Sequence, residues 1–231
     1  MRDHDVADYA ALRDMDATDV GDLHEDDRAC LEELGQYLVS TDTWQRFAIW
    51  LLHKHFEPGP GEVFVERADA TSRRIETGPT ERYAFSEQSL QPTAVRFDPA
   101  DGPDVGIVGM EFAAPDDFGP VSPLSADDEA ILAGIAERLR THGKIDRFGV
   151  RLLRNQLSVT EDELLLETCD KVDRKLICDV GDREGLRNQI IETAWQWMPQ
   201  PGETGITVMQ KCYFACEPWT DGEHTRTGCR T

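Results

Sequence analysis

Apolar residues along this chain fall into two helical stripes and two sets of strand-like runs. Cys30, Leu31, Leu34, Tyr37 and Leu38 recur near the 3.6-residue period, and Ile131, Leu132, Ile135, Ala136 and Leu139 do the same further on. Ser125, followed three residues later by Asp128, resembles a capping box at the start of the second stripe. A second helix is predicted after each stripe. Trp44, Phe47, Ala48, Leu51, Leu52 and His55 would share one face, with Ile145, Phe148, Gly149, Leu152, Leu153 and Gln156 as equivalents. Pro58-Gly59-Pro60-Gly61 ends the first of these. Strands are predicted from Glu62 to Glu66, from Arg73 to Thr77, over 91–97 and over 106–113. Their counterparts run from Glu163 to Thr168, from Arg174 to Asp179, over 190–197 and over 205–214.

The correspondence is also one of identity. Shifting the chain by 101 positions gives fourteen identities in 57 ungapped positions from 26 to 82. Among them are Asp27/Asp128, Arg46/Arg147, Glu62/Glu163, Glu66/Glu167, Asp69/Asp170 and Arg73/Arg174. Such self-similarity predicts an α+β protein: an internal duplication of a two-helix plus four-strand antiparallel unit, arranged about a pseudo-twofold axis. The expected divisions are an acidic arm over 1–25 without a core pattern, copy one over 26–113, a Pro-rich linker over 114–124, copy two over 125–216, and a tail over 217–231. Residues kept in both copies read as structural, with Asp69–Arg73 and Asp170–Arg174 closing hairpin turns. Residues found in one copy only are where function would have specialised.

Charge narrows the partners. Forty-five acidic residues against twenty-four basic ones give a formal net charge of −21, which argues against nucleic acid and anionic membrane surfaces. It leaves room for a basic protein partner. There is no ~20-residue apolar stretch, and the first residues lack the order of a secretory signal, so a cytoplasmic location and reduced thiols are expected for the six Cys.

Two features break the internal symmetry and carry chemistry. His53-Lys54-His55 occurs in the first copy alone. Its H-x-H spacing, followed by Glu62, resembles the first metal-binding stretch of cupins over barely a dozen residues; the second cupin motif is not visible. On a helix, residues two apart point about 200° apart and could not share an ion, whereas on a strand they could. The pair is a candidate general base or metal site, and His55 is otherwise a core histidine. The second feature is Cys212-x3-Cys216-x7-His224-x4-Cys229, whose soft donors suit zinc and whose H-x4-C half resembles a zinc knuckle. A composite, in which the C-terminal strand of copy two approaches the helix of copy one and His53 or His55 meets Cys212 or His224, is a further possibility. Trp195 and Trp197, with Trp219, would line an apolar ligand pocket or pack in the core.

No phosphate-binding glycine loop, nucleophile elbow or H-E-x-x-H helix is present. The leading expectation is therefore a transition-metal protein, with zinc bound by His53 and His55 or by the Cys212–Cys229 cluster. The alternatives are an acidic binding protein for a basic partner, and a small-molecule enzyme with a pocket between the copies and a histidine base.

Overall fold

Phe47, Ile49 and Leu51 alternate with Ala48, Trp50 and Leu52, and both sets are buried. A strand covered on both faces loses its polar positions and reads as a continuous apolar run, which periodicity alone cannot separate from a buried helix. In the computed structural model this segment is strand β2, Phe47–Leu51, and its counterpart is strand β7, Phe148–Leu152. The second helix expected in each half is thus replaced by a strand. The structure describes residues 2–3, 6–14, 20–85, 90–98, 106–113, 122–153, 157–186, 190–202 and 205–216.

The remaining elements follow in chain order. Strand β1 (Arg2–Asp3) and helix α1 (Val6–Ala10) precede helix α2 (Glu25–Ser40) and β2. Then come β3 (Glu62–Asp69), β4 (Arg74–Glu81), β5 (Gln91–Asp98) and β6 (Gly106–Ala113). Helix α3 (Ala126–Thr141) precedes β7, followed by β8 (Glu163–Asp170), β9 (Lys175–Asp182), the single-turn α4 (Arg183–Leu186), β10 (Ile191–Gly202) and β11 (Gly205–Cys216).

Ten strands close into one mixed barrel in the order β6-β3-β4-β9-β8-β11-β10-β2-β7-β5, with β5 returning to β6 and β1 added in parallel beside β6. Neighbouring barrel strands run antiparallel except for β3–β6 and β8–β11. This corrects the expected two-helix plus four-strand α+β unit occurring twice. Strands from both parts of the chain join along β4–β9, β2–β7, β5–β7 and β10–β2, so the sheet is a single closed object.

The core has two main layers. Inside the barrel lie Trp50, Phe64, Val108, Met110, Leu165, Leu176 and Phe214, together with Tyr9, Leu12 and Val20 from the acidic N-terminal stretch. Outside, α2 and α3 cover β2, β5, β7 and β10, packing Leu31, Leu34, Leu38, Leu132, Ile135 and Leu139 onto Phe47, Ile49, Phe148, Val150, Trp195 and Trp197. Trp195 and Trp197 belong to this outer layer, and the Trp195 indole N–H donates to Glu192 at 2.7 Å. Ser125 and Asp128 form the capping box of α3, with reciprocal bonds of 3.1 and 2.8 Å.

Most of the shared ionic residues pair across the chain. Arg46 holds Asp128, while Arg147 and Lys144 hold Asp27. Arg73 makes a bidentate pair with Glu163, and Arg174 makes one with Glu62. The Asp69–Arg73 turn pair expected from sequence does not form. Asp69 instead accepts from the backbone N–H groups of Thr71 and Ser72, an Asx turn, and frees Arg73 to reach the other hairpin.

Gly149 sits where β7 passes closest to β5. A Cβ there would lie 2.5 Å from the Val95 carbonyl oxygen and 2.9 Å from Leu52. Backbone cannot yield as a side chain can, so Gly149→Ala is expected to lower stability by about 1–3 kcal/mol, read as a reduced urea midpoint at unchanged slope. A second expectation concerns acid. The Arg73 guanidinium and the Thr160 N–H bring the Glu163 carboxyl from its ordinary 4.5 to about 2. A depressed folded-state value contributes stability above pH 4.5 that is lost as the pH falls toward 2. Glu163→Gln should flatten the thermal-midpoint profile across that window; an unchanged acid slope would count against the pair.

Candidate metal centre

Strand register sets the first half of the site. In the parallel β8–β11 pair, Glu167 lies directly beside Cys216, and both face the barrel interior. Cys216 ends β11, and its thiol donates to Glu167 Oε2 at 3.3 Å. On β10, between the bulged pairings at Glu192 and Ala194, Thr193 donates to the same carboxylate oxygen at 2.8 Å.

The second half comes from the chain leaving β2. His53 and His55 follow the strand as an extended run, so residues two apart converge instead of diverging. Their Nε2 atoms are 3.1 Å apart. His53 Nε2 lies 4.0 Å from Glu167 Oε2, and His55 Nε2 lies 4.0 Å from Cys216 Sγ. One donor atom from each of His53, His55, Glu167 and Cys216 falls within 4.8 Å of every other, and all four residues are buried. This group could hold a metal ion.

Protonation sharpens the geometry. His53 Nδ1 is 2.7 Å from the Leu51 carbonyl, which only accepts, so Nδ1 carries a proton and Nε2 is the ring nitrogen turned toward the cluster. A carbonyl on the far nitrogen is the usual partner of a metal-bound histidine, and Thr193 does the equivalent for Glu167. Two Nε2 atoms facing each other at 3.1 Å are met either by a proton shared between the rings or by lone pairs turned toward a shared cation.

Beside this quartet lies a fully buried ion cluster. Arg151 on β7 donates to Glu66 on β3 and, at 3.0 Å, to Glu111 on β6. Its guanidinium is 4.4 Å from the Phe214 ring centroid. Burial alone would disfavour that charge, but Glu111, Glu66 and Glu167 more than offset it and raise the Arg151 pKa. Burial pushes the Tyr9 phenol well up, with Glu111 and Glu167 adding to the effect, so Tyr9 stays protonated. The Cys178 thiol is likewise held neutral by burial and by Glu167.

The sequence candidates divide as follows. His53, His55 and Cys216 come together. Cys212 lies on β11 in register with Trp195, and His224 and Cys229 are outside the described residues. Glu62, the carboxylate of the cupin-like stretch, is turned away to Arg174. Glu167 takes its place in the cluster, and its match with Glu66, 101 residues earlier, made it read as structural. A usable signal existed: Glu167 shares inward strand parity with Leu165 and Cys169.

Comparison with protein-family models, curated proteins and solved structures finds no match for the chain. Among the described residues, no helix is long and apolar enough to cross a membrane.

Removing the Arg151 charge would strand Glu66 and Glu111 in the interior. Arg151→Met is expected to cost about 3–5 kcal/mol. Adding Glu66→Gln and Glu111→Gln should recover much of that loss in chemical denaturation. A triple variant no more stable than Arg151→Met would argue against charge compensation as the role of this residue.

Proposed function

We propose that this protein is a zinc-binding β-barrel in which His53, His55, Glu167 and Cys216 are the four ligands and the ion is structural. The reading rests on one observation: four donors from three separate parts of the chain converge in a buried spot. Zinc with metal–nitrogen and metal–sulfur distances of about 2.0–2.3 Å places tetrahedral ligands roughly 3.3–3.8 Å apart. Four of the six donor–donor distances are 3.1 to 4.0 Å and all lie within 4.8 Å, so the donors need to close by no more than about 1.5 Å to reach that geometry. Two imidazoles and a thiol disfavour magnesium and calcium, which take oxygen ligands, and suit zinc.

Charge supports the same reading. Glu66, Glu111 and Glu167 against Arg151 leave the barrel interior with a formal excess of two negative charges when all are ionised. A divalent ion on the quartet opposes that excess where it is least screened. Four protein ligands with no solvent-facing side match structural zinc sites, which are closed, better than catalytic ones, which keep a position for water.

Untagged protein should contain one zinc per chain by elemental analysis, and a strong chelator should lower its melting temperature. Cobalt in place of zinc should give a thiolate-to-metal absorption band that Cys216→Ser abolishes, and His53→Ala should lose the ion. Protein that stays metal-free after zinc addition and dialysis would overturn the proposal.

A further inference from the structure

The N-terminal segment Val6–Asp14 lies against the ligand-bearing loop. Lys54, the residue between His53 and His55, donates its backbone N–H to the Arg13 carbonyl at 2.9 Å and forms a parallel bridge with Asp14. Its ammonium donates to the Ala10 carbonyl at 2.9 Å. The segment is also anchored inside the barrel. Tyr9 packs on Phe64 with ring centroids 4.7 Å apart, Leu12 joins the interior core, and the nearly buried Asp8 pairs with Arg96 on β5.

We infer that Val6–Asp14 is the gate of the metal site: the ion enters and leaves when this segment detaches, and the bound ion holds it down. The inference rests on the metal reading above. The four ligands are at most 8% exposed, so an ion cannot reach them without a local opening. Barrel strands are tied on both sides by ladders of backbone bonds. Val6–Asp14 is not one of the barrel strands: it meets the ligand loop through the Lys54–Arg13 backbone bond and the Asp14–Lys54 bridge, and the barrel through side-chain anchors. Segments held this way open at lower free energy than core strands. The coupling runs both ways by linkage: fixing His53 and His55 on an ion fixes Lys54, and Lys54 is what the segment grips.

Hydrogen exchange on the unmodified protein with and without zinc is the first test. Amides of Val6–Asp14 should gain protection on zinc binding, while those of α3, on the outer face of the barrel, change little. The second is zinc transfer to a colorimetric chelator from wild type and from Asp8→Asn, which loosens an anchor without touching a ligand. Release should be about tenfold faster, as expected from about 1.4 kcal/mol less closure energy, with the zinc stoichiometry retained. Exchange at Val6–Asp14 that ignores zinc, or an unchanged release rate in Asp8→Asn, would overturn the gate and leave the metal centre standing. A chain that takes up no zinc at all would bring down both.

Discussion

Carboxylates facing the interior of a closed barrel must be met by positive charge or by donated hydrogen bonds, because an ionised group left unpaired there costs several kcal/mol. This barrel meets the requirement in two ways. Glu66 and Glu111 are satisfied by the Arg151 guanidinium, which carries its own fixed donors and stacks on Phe214. Glu167 accepts from the Thr193 hydroxyl and the Cys216 thiol, and it faces the His53 imidazole across 4.0 Å, with a His55 nitrogen within 4.8 Å. The first arrangement is complete within the protein. The second gathers donors that could hold a cation around one point.

Closure makes such a centre possible. Glu167 and Cys216 become neighbours only because β11, the last strand, inserts between β8 and β10. The histidines arrive only because β2 lies on the far side of β10. An ion bound here would tie the end of β2 to the end of β11, segments that neither sequence proximity nor direct strand pairing brings together. Cross-linking distant points restricts the unfolded chain more than it restricts the folded one, which is how structural metals stabilise. The same long-range pairing predicts slow folding, since few of the barrel's contacts are local outside its hairpins.

Much of the secondary structure was legible from residue pattern, and the architecture was not. The stripes of α2 and α3 and eight of the strands were marked by periodicity, turn residues and β-branched runs. The largest failure lies in two five-residue segments, Phe47–Leu51 and Phe148–Leu152; the acidic stretch before α2, expected to lack a core pattern, also places Tyr9, Leu12 and Val20 in the interior. Both five-residue segments are covered outside by helices and inside by the barrel core, so Phe47–Leu51 has no polar position to record the strand period and Phe148–Leu152 has only Arg151, an inward-pointing charge that a pattern of apolar-in and polar-out does not anticipate. Reading them as helices removed two strands and left two open sheets where there is one barrel. The same error set His53 and His55 on opposite sides of a helix and weakened the evidence they offered. Glu167 was obscured for a different reason. Identity at positions 101 apart was taken to mark structure, yet Glu66 and Glu167 share a residue type and an inward position while meeting different partners.

That contrast bears on how a buried acid acquires a function. Glu66 and Glu167 both point inward from the middle of a barrel strand. At the first, Arg151 reaches across and the charge is neutralised permanently, because a guanidinium does not lose its proton in a protein. At the second, the neighbours are groups whose protons are labile: two imidazoles and a thiol. Labile protons can be exchanged for a cation, whereas a guanidinium cannot be displaced without unfolding the site. The difference between a structural ion pair and a group able to hold a metal in this barrel therefore lies in the residues opposite the glutamate, and not in the glutamate itself.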